Sequence, residues 1–276
     1  MLPCGSIFVC KKTKKVFFWR RKAYIKRMKK FVVKELFDGF SAYKIAIVLF
    51  CVLLETVFVC CFVVLPIRNA RQTYVKGEGF VIVLDAGHGG VDSGVVGKVT
   101  GVKESELNLK TCKVLKSVLE ERGATVVMTR KDDNGLYGVA TKGFKLRDME
   151  RRREIIIDAK PDLVVSIHMN KFSSPSRKGA QVFFQKGDQK SKVLADSIQR
   201  ALNAFSGNGY AALSGDFYIC RCTDVPSVIV ECGFLSNPEE EKLLSTAEYR
   251  KKLANEIMRG IFLYLYSVSS RYQKSF

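Results

Sequence analysis

Residues 80–90 read FVIVLDAGHGG, an apolar run that leads into an aspartate and then into a histidine bracketed by glycines. A short run rich in β-branched residues is typical of a buried strand in a parallel sheet. Similar runs recur along the chain, with amphipathic stretches between them. This alternation predicts an α/β fold, with a mostly parallel central sheet flanked by helices.

The same patterns locate the individual elements. Strands are predicted at 80–85, 125–129, 162–167, 181–185, 217–220 and 227–231, and helices at 104–122, 146–159 and 189–204. Two further helices close the chain. One begins at Asn237-Pro238-Glu239, which supplies a cap, a first-turn proline and an acidic first turn. The other begins with a Ser245-x-x-Glu248 capping box and ends near Tyr266.

The chain has two histidines, and each follows a predicted strand. His88 comes after the first strand, and His168 ends the third strand in SIHMN (166–170). Because parallel strands end at one edge of the sheet, we expect both imidazoles at that edge. The sequence has no H-E-x-x-H helix, so a zinc site here must be assembled from distant segments.

Carboxylates complete the set of candidate site residues. Glu104 and Glu106 lie in the first turn of the helix predicted at 104–122, and their spacing makes them equal candidates for a third zinc ligand. An acidic residue in that position also suits the helix dipole without any metal. Glu231 ends an apolar strand in PSVIVECG (226–233), where a buried carboxylate needs a partner or a raised pKa. Either condition suits a general base.

The N-terminal part of the chain predicts a membrane anchor. Residues 1–44 form a basic tail, and residues 45–65 (IAIVLFCVLLETVFVCCFVVL) are apolar except for Glu55 and Thr56. A helix of roughly 20 residues crosses ~30 Å of hydrocarbon. We therefore expect a transmembrane signal anchor at 45–65, a juxtamembrane linker at 66–79 and a catalytic domain at 80–276. A cleaved signal peptide fits less well, because its basic segment and apolar core are shorter.

Charge predicts the orientation and the partners. Lysines and arginines are dense before the span, so the positive-inside rule places the N-terminus in the cytoplasm and the domain outside the cell membrane. The net charge of +19 indicates anionic partners. The tail suits an anionic lipid leaflet and the domain an anionic wall polymer, whereas nucleic acid is not an expected partner. The nine cysteines do not form the pattern of a disulfide framework.

Four motifs together resemble one protein family. DAGHGGVDSG (85–94), KESELNL (103–109), SIHMN (166–170) and PSVIVECGFLSNPEE (226–240) are similar, in order and spacing, to the zinc-dependent N-acetylmuramoyl-L-alanine amidases. The resemblance covers about residues 80–266 and implies a zinc-exopeptidase-like amidase fold. The membrane-anchored form resembles the members that act in spore-cortex maturation.

The resemblance also implies a role for each site residue. It implies one zinc ion per chain, bound by His88, Glu104 and His168, so that Glu104 is preferred to Glu106. The catalytic glutamate falls on Glu231, and Arg152 and Asn170 take supporting positions. The implied reaction is hydrolysis of the amide between N-acetylmuramic acid and L-alanine in peptidoglycan. Zinc lowers the pKa of its water towards about 7 and polarises the lactyl carbonyl, while Glu231 handles the proton.

Three other functions compete with this interpretation. A zinc peptidase of similar architecture needs a feature that recognises a peptide terminus, and the sequence shows none. A non-catalytic peptidoglycan-binding module predicts the loss of a ligand or of Glu231, and none is lost. A membrane protein whose basic tail carries the function would use the domain only as a scaffold. The sequence does not indicate an activating partner protein.

Overall fold

The computed structural model describes residues 26–30, 42–58 and 79–273. The chain divides into two compact units, Met1–Thr73 and Tyr74–Phe276. The first unit contains helix α1 (Ala42–Phe58), which includes most of the predicted membrane span. Residues 59–65 of that span, most of the basic tail and the linker 66–78 lie outside the described residues. Within the described ranges, every helix falls short of the length or the apolarity that crossing a bilayer requires.

The second unit is built on a six-stranded sheet in the order β2-β1-β3-β6-β4-β5. Strands β2, β1, β3 and β6 are parallel, and β4 joins β6 antiparallel and pairs with β5 in parallel. The mostly parallel α/β fold is therefore confirmed. The strands are β1 (Val81–Ala86), β2 (Thr125–Met128), β3 (Leu163–Asn170), β4 (Gln181–Gln185), β5 (Leu213–Gly215) and β6 (Ser227–Phe234).

Helices cover both faces of this sheet. Their bounds are α2 (Glu104–Glu120), α3 (Phe144–Ala159), α4 (Gln189–Ser206), α5 (Tyr218–Arg221), α6 (Pro238–Ser245) and α7 (Ala247–Gln273). Helices α2, α4 and α7 pack together over the larger core, whereas α3 and α5 cover a smaller core on the other face. Successive side chains of β1 point to opposite faces of the sheet. Ile82 and Leu84 therefore enter the larger core, and Val83 enters the smaller one.

Two local predictions were wrong. The segment 217–220, predicted as a strand, belongs largely to helix α5, and the strand of this region is β5, a few residues earlier. Its apolar residues Ile219 and Cys220 are buried by the short helix against the smaller core, so an apolar run did not require a strand. The cap of α7 is also displaced by one residue. The amide of Tyr249 donates to Thr246 Oγ1 at 3.3 Å, while Ser245 Oγ donates to the carbonyl of Glu241 at 2.7 Å.

The predicted start of α6 is confirmed in detail. The side chain of Asn237 accepts hydrogen bonds from the amides of Glu239 and Glu240, and Pro238 occupies the first turn. These contacts satisfy donors that no residue within the helix can reach. The cap therefore fixes where the chain turns away from β6, which is the strand that carries Glu231.

A buried ion pair lies beneath the end of β1. Arg152 of α3 is 1% exposed, and its Nη1 lies 2.6 Å from Oδ1 of Asp85. The same guanidinium donates to Asp148 and to the carbonyls of Ala86 and His88. Burial raises the pKa of Asp85, but the charge of Arg152 and three hydrogen bonds outweigh it and lower the pKa to about 2. The pair therefore stays ionised, and Arg152 holds the loop that follows β1.

A second buried arginine holds the same loop. Arg130, which follows β2, is 2% exposed. It donates to the carbonyls of Ala86, Gly87 and Ser105 at 2.7–3.0 Å. The carbonyl groups of residues 86–88 thus accept hydrogen bonds from two arginines, one on α3 and one in the segment after β2. The path of the chain between β1 and His88 is fixed by these contacts rather than by local preference.

We predict that Arg152→Met strongly destabilises the fold. The substitution leaves Asp85 charged and buried without its partner, and breaking a buried pair in this way costs about 3–5 kcal/mol. The measurement is the urea-unfolding midpoint of the full-length protein, followed by circular dichroism. Arg151→Met is the matched control, because Arg151 is half exposed and pairs only with Glu154, its neighbour on α3. Its cost should stay below about 1 kcal/mol. Equal shifts for the two variants would contradict the prediction.

Candidate metal centre

His88 lies in the loop after β1 with a positive φ of 62°, a conformation that non-glycine residues seldom adopt. Its Nδ1 is 3.0 Å from Oδ2 of Asp92, and its Nε2 is 3.1 Å from Oε1 of Glu104. Burial lowers the pKa of His88, but the hydrogen bonds and charges of Glu104 and Asp92 outweigh burial and raise it to about 9. Asp92 therefore orients the ring so that Nε2 faces Glu104.

His168 lies near the end of β3, as predicted, and its ring approaches that of His88. The ring centroids are 5.0 Å apart with an interplanar angle of 77°. Nδ1 of His168 lies 3.0 Å from Oε1 of Glu104. The same carboxylate oxygen is thus in contact with both imidazoles. The prediction that both histidines meet at one edge of the sheet is confirmed.

Glu104 is the first residue of α2 and is 2% exposed. Its Oε2 accepts a hydrogen bond from the amide of Val95, and its Oε1 accepts one from the amide of Met169. Burial raises the pKa of Glu104, but the two histidines lower it far below its usual range. Glu106, in the same turn, is partly exposed and pairs with Lys110 on the helix surface. The geometry thus separates two residues that spacing left equal.

The three side chains form a site that can hold a metal ion. One ligand atom from each of His88, Glu104 and His168 lies within 4.8 Å of the other two. Two imidazole nitrogens and one carboxylate oxygen are a donor set that suits zinc and leaves a coordination position open. A cation also fits the charge of the site, because Glu104 is buried and ionised between two nitrogen ligands. The donor set, the burial and the charge all agree with zinc.

Glycines make room for this convergence. A β-carbon at Gly87 would lie 2.2 Å from Cε1 of His168, which is too close for two atoms that are not bonded. A β-carbon at Gly94 would lie 2.5 Å from Oε2 of Glu104, and Gly94 has a φ of +64°. Glycine at these two positions therefore allows the close approach of His168 and Glu104.

Glu231 lies on β6 directly opposite His168 on β3. Its Oε2 is buried and has no hydrogen-bond partner among the residues that the structure describes. Burial raises the pKa of Glu231, His168 lowers it and Glu104 raises it, with a net result of about 7. A carboxyl group with that pKa can accept a proton and return it near neutral pH.

Two pockets meet at the histidine pair. The first, here called the aromatic pocket, is lined by Tyr137, Phe144, Met149, Phe217, Tyr218, Ile219 and Ile229, together with His88 and His168. The second, here called the basic pocket, is lined by Lys98, Asn170, Lys171, Ser236 and Glu231, together with the same histidines and Glu104. A substrate that spans the centre therefore meets two chemically different walls.

Several supporting residues were absent from the sequence predictions or were only partly understood. Arg152 supports the loop of His88 from below, and Asn170 lines the basic pocket, where its Oδ1 accepts from the amide of Lys171. Asp92 was not singled out, although it lies four residues after His88 within the quoted motif. An acid at that distance from a candidate ligand in a glycine-rich loop is a signal that could have identified it.

Comparisons with known proteins agree with this geometry. A family model described as N-acetylmuramoyl-L-alanine amidase matches residues 82–262. A germination-specific N-acetylmuramoyl-L-alanine amidase of Bacillus subtilis is 34% identical over 194 residues, which cover 68% of this chain and 80% of that protein. A probable cell wall amidase of Staphylococcus aureus, LytH, is 32% identical over 68% of this chain and 59% of its own length.

Solved structures show the same similarity. The CwlD amidase from Clostridioides difficile, in complex with the GerS lipoprotein, has 36% identity and a TM-score of 0.66, covering 68% of this chain and all of that one. The catalytic domain of CwlV from Bacillus (Paenibacillus) polymyxa has 31% identity and a TM-score of 0.60, with coverage of 67% and 98%. Each solved chain is matched almost completely by about two thirds of this chain, a stretch no longer than the second unit, so we expect that unit to fold alone.

We predict that Gly87→Ala weakens zinc binding without unfolding the protein. The added methyl group collides with the ring of His168, which must move away, and shifts of this kind lower metal affinity by roughly 10–100-fold. The measurement is competition for zinc with a chromogenic chelator, with circular dichroism as the check on folding. Gly209→Ala is the control, because its β-carbon meets nothing within 4 Å. Wild-type zinc affinity in Gly87→Ala would contradict the prediction.

Proposed function

The chain belongs to the N-acetylmuramoyl-L-alanine amidase family and hydrolyses peptidoglycan, and we propose that it does so with a zinc ion bound by His88, Glu104 and His168. The observation that carries the proposal is the convergence of these ligand atoms within 4.8 Å around a buried carboxylate. The bond cleaved is the amide between N-acetylmuramic acid and L-alanine of the stem peptide. We propose one zinc ion per chain, because the described part of the chain contains one such group of ligands.

The residues around the centre account for the chemistry. A bound zinc ion supplies Lewis acidity, which lowers the pKa of water and polarises a carbonyl group. His88 is held in place by Asp92, and Glu104 by the amides of Val95 and Met169. The ligands are thus pre-arranged for a metal.

Glu231 is the general base in this proposal. Its buried and unpartnered Oε2 is free to accept a proton from the attacking water. The same carboxyl group then donates that proton to the departing nitrogen of L-alanine, so one residue serves both steps. A cation held by His88, Glu104 and His168 would lower the pKa of Glu231 and so favour its ionised form, which is the form that accepts a proton. Arg152 acts indirectly, because it holds the backbone of His88.

The competing functions are less consistent with these residues. A binding module without catalysis has no need for a buried carboxylate opposite a ligand, yet Glu231 occupies that position. A peptidase would need a group that recognises a peptide terminus at the centre. A germination-specific amidase is among the relatives, and we extend the proposal to turnover of spore peptidoglycan on that basis.

The location of the protein is also a proposal. We assign residues 45–65 as an anchor in the cell membrane, with the N-terminus in the cytoplasm and residues 80–276 outside. The apolar composition of this segment and the basic residues before it support the assignment. In this arrangement the anchor holds the domain close to its polymeric substrate, and the basic domain surface adds attraction to anionic wall polymers.

We predict that Glu231→Gln abolishes turnover but keeps zinc. Removing a positioned base lowers rates by roughly 10²–10⁴-fold, while the three ligands are unchanged. Residues 74–276 are assayed on purified peptidoglycan by the release of stem peptides with a free N-terminal alanine, and zinc content is measured in parallel. Glu239→Gln is the matched control, since Glu239 is exposed on α6. Substantial activity in Glu231→Gln would remove it from the base role.

The wild-type domain provides two further outcomes in the same assay. Zinc without release of peptide would contradict the proposal that these residues suffice for hydrolysis, and it would make a partner the next thing to test, since the Clostridioides difficile relative forms a complex with a lipoprotein. A domain that binds no zinc would contradict the assignment of the three ligands.

We predict that alkaline phosphatase fused after Phe276 is active and that β-galactosidase fused there is inactive. Alkaline phosphatase folds to its active form only outside the cytoplasm, and β-galactosidase only inside it. Both fusions are made to the full-length chain, and deletion of residues 1–65 provides the control that should reverse the pattern. An active β-galactosidase fusion to the full-length chain would overturn the proposed orientation.

A further inference from the structure

Three lysines line the basic pocket, which Glu231 also lines. Lys98, Lys145 and Lys171 all contribute to its wall. Lys145 approaches Asp92 at 3.6 Å, but Lys98 and Lys171 are exposed and form no ion pair within the described part of the chain. Of the three acids that line the pocket, Asp92 contacts His88 and Glu104 contacts both histidines, while Glu231 forms no ion pair with either lysine among the described residues. Two cations at the pocket thus have no anion of their own.

The backbone positions of these two lysines are fixed. Lys98 lies in the segment 97–102, which is held by the buried carboxylate of Glu241. That carboxylate accepts hydrogen bonds from the amides of Val99 and Thr100 and from Thr100 Oγ1, at 2.6–3.0 Å. The amide of Lys171 donates to Oδ1 of Asn170 at 2.7 Å. Both side chains therefore extend from an ordered pocket wall rather than from free loops.

Under the proposed function, the position of Glu231 indicates which half of the substrate enters the basic pocket. Glu231 lines the basic pocket but not the aromatic pocket. The proton that it carries must reach the departing nitrogen of L-alanine. The stem peptide therefore leaves the centre through the basic pocket, and the muramyl group faces the aromatic pocket.

The stem peptide carries an anion close to the cleaved bond. Its second residue is D-glutamate linked through the γ-carboxyl group, so its α-carboxylate is free unless it is amidated. The next residue of an extended peptide lies roughly 3.5 Å farther along the chain. Lys98 and Lys171 line the same pocket as Glu231, and neither forms an ion pair with it among the described residues, so their ammonium groups are available to an anion in this pocket. We propose that Lys98 and Lys171 bind this α-carboxylate and make the enzyme selective for stem peptides in which it is not amidated.

The test compares two substrates and two sets of variants. Zinc-loaded residues 74–276 are given glycan strands whose stem peptides have the D-glutamate α-carboxyl either free or amidated, and kcat/KM is measured for each. We expect the wild type to prefer the free carboxylate by about tenfold, the effect of losing a charged hydrogen-bond pair. The double variant Lys98→Met with Lys171→Met should lose this preference, and only its kcat/KM on the free carboxylate should fall.

A charge-matched control separates the pocket from general attraction to an anionic polymer. The double variant Lys186→Met with Lys190→Met also removes two positive charges, from exposed positions that line neither pocket, and it should keep the wild-type preference. Two outcomes would contradict the carboxylate site but not the proposed function. They are an equal kcat/KM of the wild type on both substrates, and an equal loss of kcat/KM on both substrates in the double variant of Lys98 and Lys171. No release from either substrate by the zinc-loaded wild type would contradict the proposed function instead.

Discussion

The metal centre depends on the buried contact between Asp85 and Arg152. Two charges beneath the sheet edge are tolerated because every polar group around them is paired: Thr129 and Ser166 donate to Asp85, and Arg152 also binds Asp148 and two carbonyls. One of those carbonyls belongs to His88. The residue that neutralises the buried acid is thus the residue that fixes the backbone of the first ligand, which has a strained positive φ. Stability of the core and geometry of the site are coupled through one guanidinium group.

Glu104 provides the second link, because its carboxylate joins three segments of the chain. It is contacted by the loop before α2 through Val95, by β3 through Met169 and His168, and by the β1 loop through His88. A first-turn acid that served only the helix dipole would stay at the surface, as Glu106 does. Full burial of Glu104 needs the hydrogen bonds and the positive charge that surround it. The centre therefore orders the loops that form it, and the loops in turn keep water away from the carboxylate.

The sequence was informative where the signal is local and incomplete where it is not. Apolar runs followed by His88, His168 and Glu231 predicted strands and the edge that they share, since strand patterns are local and parallel strands end together. Spacing did not separate Glu104 from Glu106, because burial of a first-turn residue depends on contacts with distant segments. The resemblance to the amidase family was needed for that choice, and the structure agrees with it.

Other features were beyond local patterns for the same reason. The antiparallel position of β4, the short helix α5 and the pairing of Asp85 with Arg152 across 67 residues depend on long-range packing. Asp92 could have been found from the motif, whereas Arg130 could not, because an isolated arginine after a strand resembles any surface cation. Most of the basic tail and most of the linker lie outside the described residues, so those boundaries remain predictions.

The sheet itself sets the distance between ligand and base. His88, His168 and Glu231 follow or lie on β1, β3 and β6, which are neighbours in the centre of the sheet. His168 and Glu231 are direct partners in the β3–β6 register, so their backbones are one strand spacing apart, about 4.8 Å. The register becomes irregular only after His168, between it and Asn170, where β3 leaves the regular ladder and the wall of the basic pocket begins. The regular part of the sheet thus holds the proposed ligand and base, and the irregular part shapes the pocket that we propose for the peptide. A base on a loop would need its position fixed by extra contacts. Glu231 has its position fixed by strand pairing, and its buried Oε2 has no partner among the described residues, which suits the proposed role in proton transfer.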